Sequence, residues 1–341
     1  MLKLPLEFRL EAVFKKEVLE ELYKINIKEF KLETDKKVDV TLTYQVFGQP
    51  LFEAPVVLVN HALTGNSNVT GENGWWKDLI GDKKVIDTQK FTVLAFNIPG
   101  NGFRDPENLI EDYKEYTTKD IASIFWKGLE ELKIEKLFAV IGGSLGGGIA
   151  WEMIYLKPKS IDNVIPIATS WKSSDWLIAN VLVQDAILNN SNNPIHDARL
   201  HAMLLYRTPE SLQEKFNGEK NEENDLYKVE SWLKHHGNKL SQRFELSAYK
   251  LMNHLLKTIG ENRNEKYLLN TINNTTARIH LVSVNTDYFF TANEIKNVYT
   301  KLKQHNTIEV QYYEIQSKHG HDAFLIEYEQ LNKFLAPIFN Y

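Results

Sequence analysis

Apolar and polar positions along the chain fall into three kinds of run. The first is short and continuous. Residues 55–61 (PVVLVNH), 91–97 (FTVLAFN), 136–141 (KLFAVI) and 164–168 (VIPIA) are apolar and bounded by turn residues. Such runs predict strands buried on both faces of a mostly parallel sheet. The second kind alternates. Between residues 27 and 47, Phe30-Lys31-Leu32-Glu33 and Val38-Asp39-Val40-Thr41-Leu42-Thr43-Tyr44 predict an antiparallel pair of half-buried strands, closed by Gly48-Gln49-Pro50. The third kind repeats at helical spacing, over residues 121–132, 176–188, 198–206 and 323–334, with Thr118 as the expected N-cap of the first.

The order of these runs predicts an architecture. Strand and helix patterns alternate up to about residue 170 and return at 277–284 and 307–314. That is an α/β fold: a mostly parallel central sheet with helices on both faces. Between them, residues 171–264 hold only helical patterns and a polar loop at 218–225, and read as a helical insertion, or lid. The expected organisation is a core of 27–170 and 265–341, that lid, and an amphipathic N-terminal extension at 1–26 containing a helix near 15–22. No internal repeat or low-complexity tract interrupts it.

Composition narrows the function classes. Of 341 residues, 43% are hydrophobic and 25% charged, with a formal net charge of −5. No basic run with interleaved aromatics points to nucleic acid. The absence of cysteine removes disulfides, thiolate nucleophiles and cysteine-held metals, and fits a reducing cytoplasm. The first residues carry charges where a signal peptide needs an apolar block, and no stretch reaches the roughly 20 apolar residues of a membrane span. A soluble, cytoplasmic protein that binds neither membrane nor nucleic acid is expected.

In open sheets of this kind, sites lie beyond the carboxyl ends of the strands. One strand end carries Gly142-Gly143-Ser144-Leu145-Gly146, a G-x-S-x-G sequence between a buried strand and an amphipathic helix. Small residues there permit a sharp turn that raises the Ser144 hydroxyl above the sheet, with the Leu145 N–H available to an oxyanion. Asp287 follows the strand at 277–284, and His321 stands between the last strand and the last helix. The order Ser, Asp, His is that of α/β-hydrolases. A serine hydroxyl needs a base, and a histidine needs an acid to hold its tautomer. The second oxyanion donor is expected in His61-Ala62-Leu63-Thr64-Gly65, at the Leu63 N–H. Other readings stay open. Asp287 fits a turn aspartate. His319 competes with His321, which is favoured by following Gly320 and abutting the last helix. His61 reads as structural, and His235-His236 as packing rather than metal binding.

These residues resemble the homoserine O-acetyltransferase family of α/β-hydrolase fold acyltransferases. The likeness runs from about residue 38 to 334. It rests on Val59-Asn60-His61-Ala62-Leu63-Thr64-Gly65, Gly74-Trp75-Trp76, Leu79-Ile80-Gly81, Ile86-Asp87-Thr88, the elbow (with leucine where the family has methionine) and Gly320-His321-Asp322-Ala323-Phe324-Leu325. Lid segments Val229-Glu230-Ser231-Trp232-Leu233 and Arg243-Phe244 are also similar. The resemblance implies acetyl transfer from acetyl-CoA, a co-substrate, to the homoserine hydroxyl through an acyl-serine, with no permanently bound cofactor or metal. It implies Ser144 as nucleophile, Asp287 as orienter, His321 as base, Leu63 and Leu145 as oxyanion donors, Asp322 on the acceptor's amino group, and a homodimer through the lid. The chain departs from the family in two places. The loop Ile98-Pro99-Gly100-Asn101-Gly102-Phe103-Arg104 is shorter. The lid arginine that pairs with the substrate carboxylate falls near Val183-Gln184-Asp185, where no arginine stands. An unpaired buried carboxylate is costly, so Lys172, Arg199 and Arg207 are the candidate replacements. An esterase or thioesterase, an O-acyltransferase with another alcohol acceptor, and an inactive binding protein on the same fold are the competing functions.

Overall fold

The structure is a computed structural model and describes residues 21–222, 225–304 and 309–340. Most of the expected N-terminal helix lies outside the described residues. The extension does not reach residue 26, because β1 (Tyr23–Lys31) begins earlier. β1 pairs antiparallel with β2 (Lys37–Gly48) along one edge of the sheet, with a register shift between Ile27 and Phe30. Only its first residues, 23–26, fall in the stretch read as the extension, and they are mostly exposed.

The main sheet has eight strands in the order β1-β2-β6-β3-β7-β8-β9-β10. These include β3 (Val56–Asn60), β6 (Thr92–Phe96), β7 (Leu137–Gly143), β8 (Ile161–Ile167), β9 (Arg278–Val284) and β10 (Val310–Ile315). From β6 to β10 every neighbouring pair is parallel. The short strands β4 (Ile80–Gly81) and β5 (Ile86–Asp87) form a separate parallel pair. Alternate side chains of the central strands enter two cores. Leu58, Leu94, Phe96 and Val140 pack on one face, and Val57, Val93, Ala95 and Ile141 on the other. Burying a residue of this size contributes about 1.5–3 kcal/mol, which is why the middle positions of β3, β6 and β7 are apolar.

Helices cover both faces. The first core takes side chains of α1 (Thr118–Glu131) and α2 (Leu145–Leu156). Between β8 and β9 come α3 (Asp175–Asn190), α4 (Pro194–Tyr206), α5 (Pro209–Phe216), α6 (Lys228–Ser241) and α7 (Leu246–Lys257). They are followed by α8 (Glu265–Asn274), whose Leu268 and Ile272 join the first core, as do Ile295 and Val298 of α9 (Ala292–Gln304). α10 (Tyr328–Phe339) covers the opposite face through Leu331 and Leu335.

Two boundaries differ from expectation for local reasons. Thr117, not Thr118, caps α1. Its hydroxyl accepts from the Asp120 N–H at 3.1 Å, and Asp120 accepts from the Thr117 N–H at 2.9 Å, a reciprocal capping box. Thr118 turns its hydroxyl inward to the Thr258 carbonyl. The expected helix at 323–334 is two pieces, a 3-10 segment Gly320–Leu325 and then α10. Phe324 and Leu331 both reach the second core, but the backbone breaks at Glu327 (φ −88°, ψ 53°) between them.

Candidate active site

At the end of β7 the chain reverses into α2 through Ser144, whose φ of +55° and ψ of −123° lie where side chains are rarely tolerated. Such a conformation costs of order 1–3 kcal/mol and persists only where the surroundings over-determine it. Here they do. The Ser144 N–H donates to the Ile167 carbonyl at 2.9 Å, and the Ser144 carbonyl accepts from Gly147 and Gly148 at 3.0 and 3.1 Å. A Cβ on Gly142 would stand 2.4 Å from the Gly146 carbonyl carbon, and one on Gly146 would stand 2.2 Å from the Asn60 carbonyl oxygen. The elbow is therefore close-packed backbone on both sides of the serine. Leu145 is the first residue of α2, where N–H groups have no partner within the helix.

The loop after β3 stands against this turn. Gly65 N–H donates to the Ala62 carbonyl at 2.9 Å, so Leu63 and Thr64 form the corner of a tight turn. His61 pins it. Its Nε2 accepts from the Ile98 N–H at 3.0 Å, which leaves Nδ1 to donate to the Ala62 carbonyl at 2.8 Å. Burial pushes its pKa down to about 4, so the ring is neutral at neutral pH. Asn60 Nδ2 reaches the Gly146 carbonyl at 3.3 Å and ties the same loop to α2. His61 is thus a brace between loops, with both ring nitrogens occupied.

Asp287 and His321 meet. His321 Nδ1 lies 2.7 Å from Asp287 Oδ2, and the Asp287 side chain is fully buried. The other carboxylate oxygen accepts from the Phe289 and Phe290 N–H groups at 2.7 and 2.9 Å. A carboxylate held at both oxygens fixes Nδ1 as the donor and leaves Nε2 with its lone pair. The imidazole is caged by Tyr206, Phe289, Phe290 and Phe324, with ring centroids 5.2–5.9 Å away. Phe324 also connects the histidine to the elbow, because a Cβ on Gly143 would touch its ring at 2.4 Å. Trp76 packs edge-on behind Phe324, at 6.4 Å between centroids. His319 is engaged elsewhere: its Nδ1 accepts from Arg207 and Ser211 at 3.1 and 3.0 Å.

The insertion joins the site through the α4–α5 connection. Thr208 Oγ1 donates to the Lys318 carbonyl, and a Cβ on Gly320 would meet the Tyr206 carbonyl oxygen at 2.8 Å. Arg207 and Arg199 both act on Asp322. Burial raises the Asp322 carboxyl above its usual range, and Arg199, His321 and Arg207 pull it back in that order. Arg207 Nη1 stands 3.9 Å from Asp322 Oδ2. Lys172 does not belong with them. Its ammonium donates to the Arg263 carbonyl at 3.1 Å, and it lines a separate cleft with Glu294 and Lys301 of α9. His235 and His236 pack edge to face with each other, and His236 with Trp232. Among the described residues, no group of three or more acidic and histidine side chains is placed to hold a metal. No helix among them is long and apolar enough to cross a membrane.

Sequence reasoning did not single out the aromatic cage. Its signal was present in Tyr288-Phe289-Phe290, directly after Asp287, and in Tyr206, at the end of a helical run.

The wider comparisons agree with this geometry. A family model for the alpha/beta hydrolase fold matches residues 55–325. Homoserine O-acetyltransferase of Methanococcus vannielii is 32% identical over 87% of this chain and 68% of its own length. Among solved structures, a homoserine O-acetyltransferase from Bacillus anthracis superposes with a TM-score of 0.83 at 17% identity, covering 94% of this chain and 98% of that one. A variant of esterase E22 does so with a TM-score of 0.83 at 18% identity, covering 94% and 99%. The two structures establish the fold; the sequence likeness to the methanogen protein goes further. The chain belongs to the homoserine O-acetyltransferase family, within the α/β-hydrolase fold.

Proposed function

We propose that the chain transfers an acetyl group from acetyl-CoA to the side-chain hydroxyl of L-homoserine through an acetyl-serine. The observation that carries the reading is the pairing of a strained serine at a strand–helix elbow with a histidine held by a buried aspartate at 2.7 Å. Ser144 Oγ attacks the thioester carbonyl as His321 Nε2 takes its proton. Asp287 holds the Nδ1–H and stabilises the imidazolium. The Leu63 and Leu145 N–H groups receive the oxyanion. His321 returns the proton to the departing sulfur, and CoA leaves as the thiol. The homoserine hydroxyl then gives its proton to His321 and attacks the acetyl-serine. Collapse returns that proton to Ser144 Oγ and releases O-acetylhomoserine.

Asp322 is the site for the acceptor's ammonium, and an arginine of the insertion answers its carboxylate. Helices α3–α7 act as the lid that keeps water from the acetyl-serine, which separates transfer from hydrolysis. The outer surface of α3 exposes Trp176, Ile178, Leu182 and Val183. Such a patch supports a homodimer through the lid. A cytoplasmic location, where acyl-CoA is at hand, goes with the same reading.

Incubation with acetyl-CoA and L-homoserine tests it. Free CoA and O-acetylhomoserine are expected in equal amounts. Product with serine or another alcohol but none with homoserine overturns the acceptor. Release of CoA and acetate that is indifferent to every alcohol makes the protein an esterase or thioesterase.

A further inference from the structure

The two N–H groups assigned to the oxyanion have different surroundings. That of Leu145 belongs to the first turn of a helix, which fixes its direction. That of Leu63 belongs to a loop. It is carried by the Ala62–Leu63 peptide, which is planar and trans, so the Ala62 carbonyl and the Leu63 N–H point in opposite directions. Whatever holds the carbonyl therefore aims the N–H. Two donors hold it: the Gly65 N–H at 2.9 Å and His61 Nδ1 at 2.8 Å. The Leu63 N–H itself meets no acceptor among the described residues.

His61 grips that carbonyl only while Nδ1 carries a proton and Nε2 stays bare. Two donors converge on Nε2, the Ile98 N–H at 3.0 Å and Asn101 Nδ2 at 3.3 Å. The direction of the Asn101 amide is fixed in turn. Its Oδ1 accepts from the Phe103 N–H at 3.1 Å, so its nitrogen faces His61 and, at 3.1 Å, Asn97 Oδ1. Asn97 is fixed in the same way. Its Oδ1 accepts from the Ser67 N–H at 2.8 Å, and its Nδ2 donates to Thr43 Oγ1 and Ser67 Oγ at 2.9 and 3.0 Å. Thr43, His61, Ser67, Asn97 and Asn101 are each at most 6% exposed. In so dry a place a reversed donor or acceptor is costly. The backbone N–H groups at the edges of the network therefore leave it one polarity, and leave His61 one tautomer.

We infer that Asn101 is a positioning residue of the oxyanion hole: it holds His61 in the tautomer that grips the Ala62 carbonyl, and so keeps the Leu63 N–H aimed at the oxygen on which charge develops. The inference rests on the acetyl-serine reading and adds to it the side chains that set the geometry of acylation. An oxyanion donor acts where charge develops, so its misdirection slows acylation without weakening the binding of the acyl donor.

The test measures acetyl-enzyme formation from acetyl-CoA and from 4-nitrophenyl acetate, with nitrogen NMR of the histidine rings in the labelled full chain. The His61 signals are those lost in His61→Gln. In the wild type the His61 proton is expected at Nδ1; a proton at Nε2 overturns the inference without any variant. Asn101→Ala is expected to let both tautomers appear and to slow maximal acylation on the order of 10–100-fold, with the half-saturating concentration of either donor changed less than about twofold. Asn101→Asp turns an acceptor toward Nε2, draws a proton there and slows acylation further. Asn163→Ala is the control for a softened core, since Asn163 on β8 is buried and also partners a histidine, His280 at 3.3 Å. It is expected to lower the thermal midpoint while leaving acylation and the His61 signals unchanged. Wild-type acylation in Asn101→Ala, a loss confined to donor affinity, or an equal slowing in Asn163→Ala overturns the inference. If the wild type is acetylated but transfers nothing to homoserine, while Asn101→Ala still slows acylation, the acceptor reading falls and the inference stands. If Asn101→Ala acetylates homoserine at the wild-type rate, the inference falls and the reading stands.

Discussion

The two sides of the active site are built differently. The floor, formed by the elbow and the loop after β3, is backbone packed against backbone. Gly146 has no room for a methyl group, Ser144 is locked in a strained conformation, and both nitrogens of His61 are occupied. The ceiling, formed by α4 and the α4–α5 connection, is made of long side chains. Among the described residues, Arg199 meets the Tyr206 ring, Arg207 has a buried Nε without a partner, and Arg207 Nη1 stands 3.9 Å from Asp322. A floor of this kind fixes where an oxyanion sits, and so fixes the reaction class. On the proposed reading, a ceiling of charged side chains is the part that meets the acceptor.

The largest expected effect is on the floor's proton chemistry. Asp287→Asn keeps the shape but presents a donor to Nδ1, which favours the wrong tautomer of His321. Turnover is expected to fall about 10³–10⁴-fold, with a smaller loss of stability, read by steady-state CoA release. A change under tenfold makes Asp287 a turn aspartate and removes the distinction between floor and ceiling.

Gly146→Ala is next. Its Cβ would lie 2.2 Å from the Asn60 carbonyl oxygen, backbone against backbone, so Asn60 or α2 must shift. A loss of about 2–4 kcal/mol in urea unfolding is expected, together with a fall in kcat, because Leu145 moves relative to Leu63. A stable, fully active variant refutes the tight-floor account.

The third concerns pH. His61 binds its proton near pH 4 in the fold and near 6.5 in the unfolded chain. Its contribution is present above pH 6.5 and is lost as pH falls toward 4, because the unfolded chain takes up the proton first. Urea midpoints should decline through that window, with His61 supplying on the order of 3 kcal/mol of the drop. His61→Gln, less stable at pH 7, should show a shallower decline. An equal slope in the variant assigns the acid sensitivity to other histidines.

Thr117→Ala gives the smallest effect and serves as the outside reference. Losing one partner of the capping box costs about 1 kcal/mol, with kcat/KM for both substrates unchanged. A catalytic effect here means that the floor is less isolated from α1 than its packing indicates.

What the sequence made legible follows the same division. Ser144, Asp287 and His321 were readable because each follows a strand-like run, and the elbow spacing is set by backbone sterics. The central strands were readable because burial on both faces keeps most of their positions apolar. The first residues of β1 were not, because Tyr23-Lys24-Ile25-Asn26 are mostly exposed and continue the mixed polar pattern of the extension. The 3-10 segment around His321 was merged with α10, since a repeat of three and a repeat of 3.6 are hard to separate over so few residues. Among Lys172, Arg199 and Arg207, charge alone made them equal. Only tertiary placement sent Lys172 to another cleft, tied Arg207 to His319 and laid Arg199 on the Tyr206 ring.

The central claim is that Ser144 carries the acetyl group. Brief incubation with acetyl-CoA, acid quenching and intact-mass measurement test it directly. A single added acetyl group is expected, mapping to the peptide that contains Ser144, absent from a folded Ser144→Ala variant and discharged by L-homoserine. An acetyl adduct that persists in Ser144→Ala, or unimpaired transfer by that variant, contradicts the account.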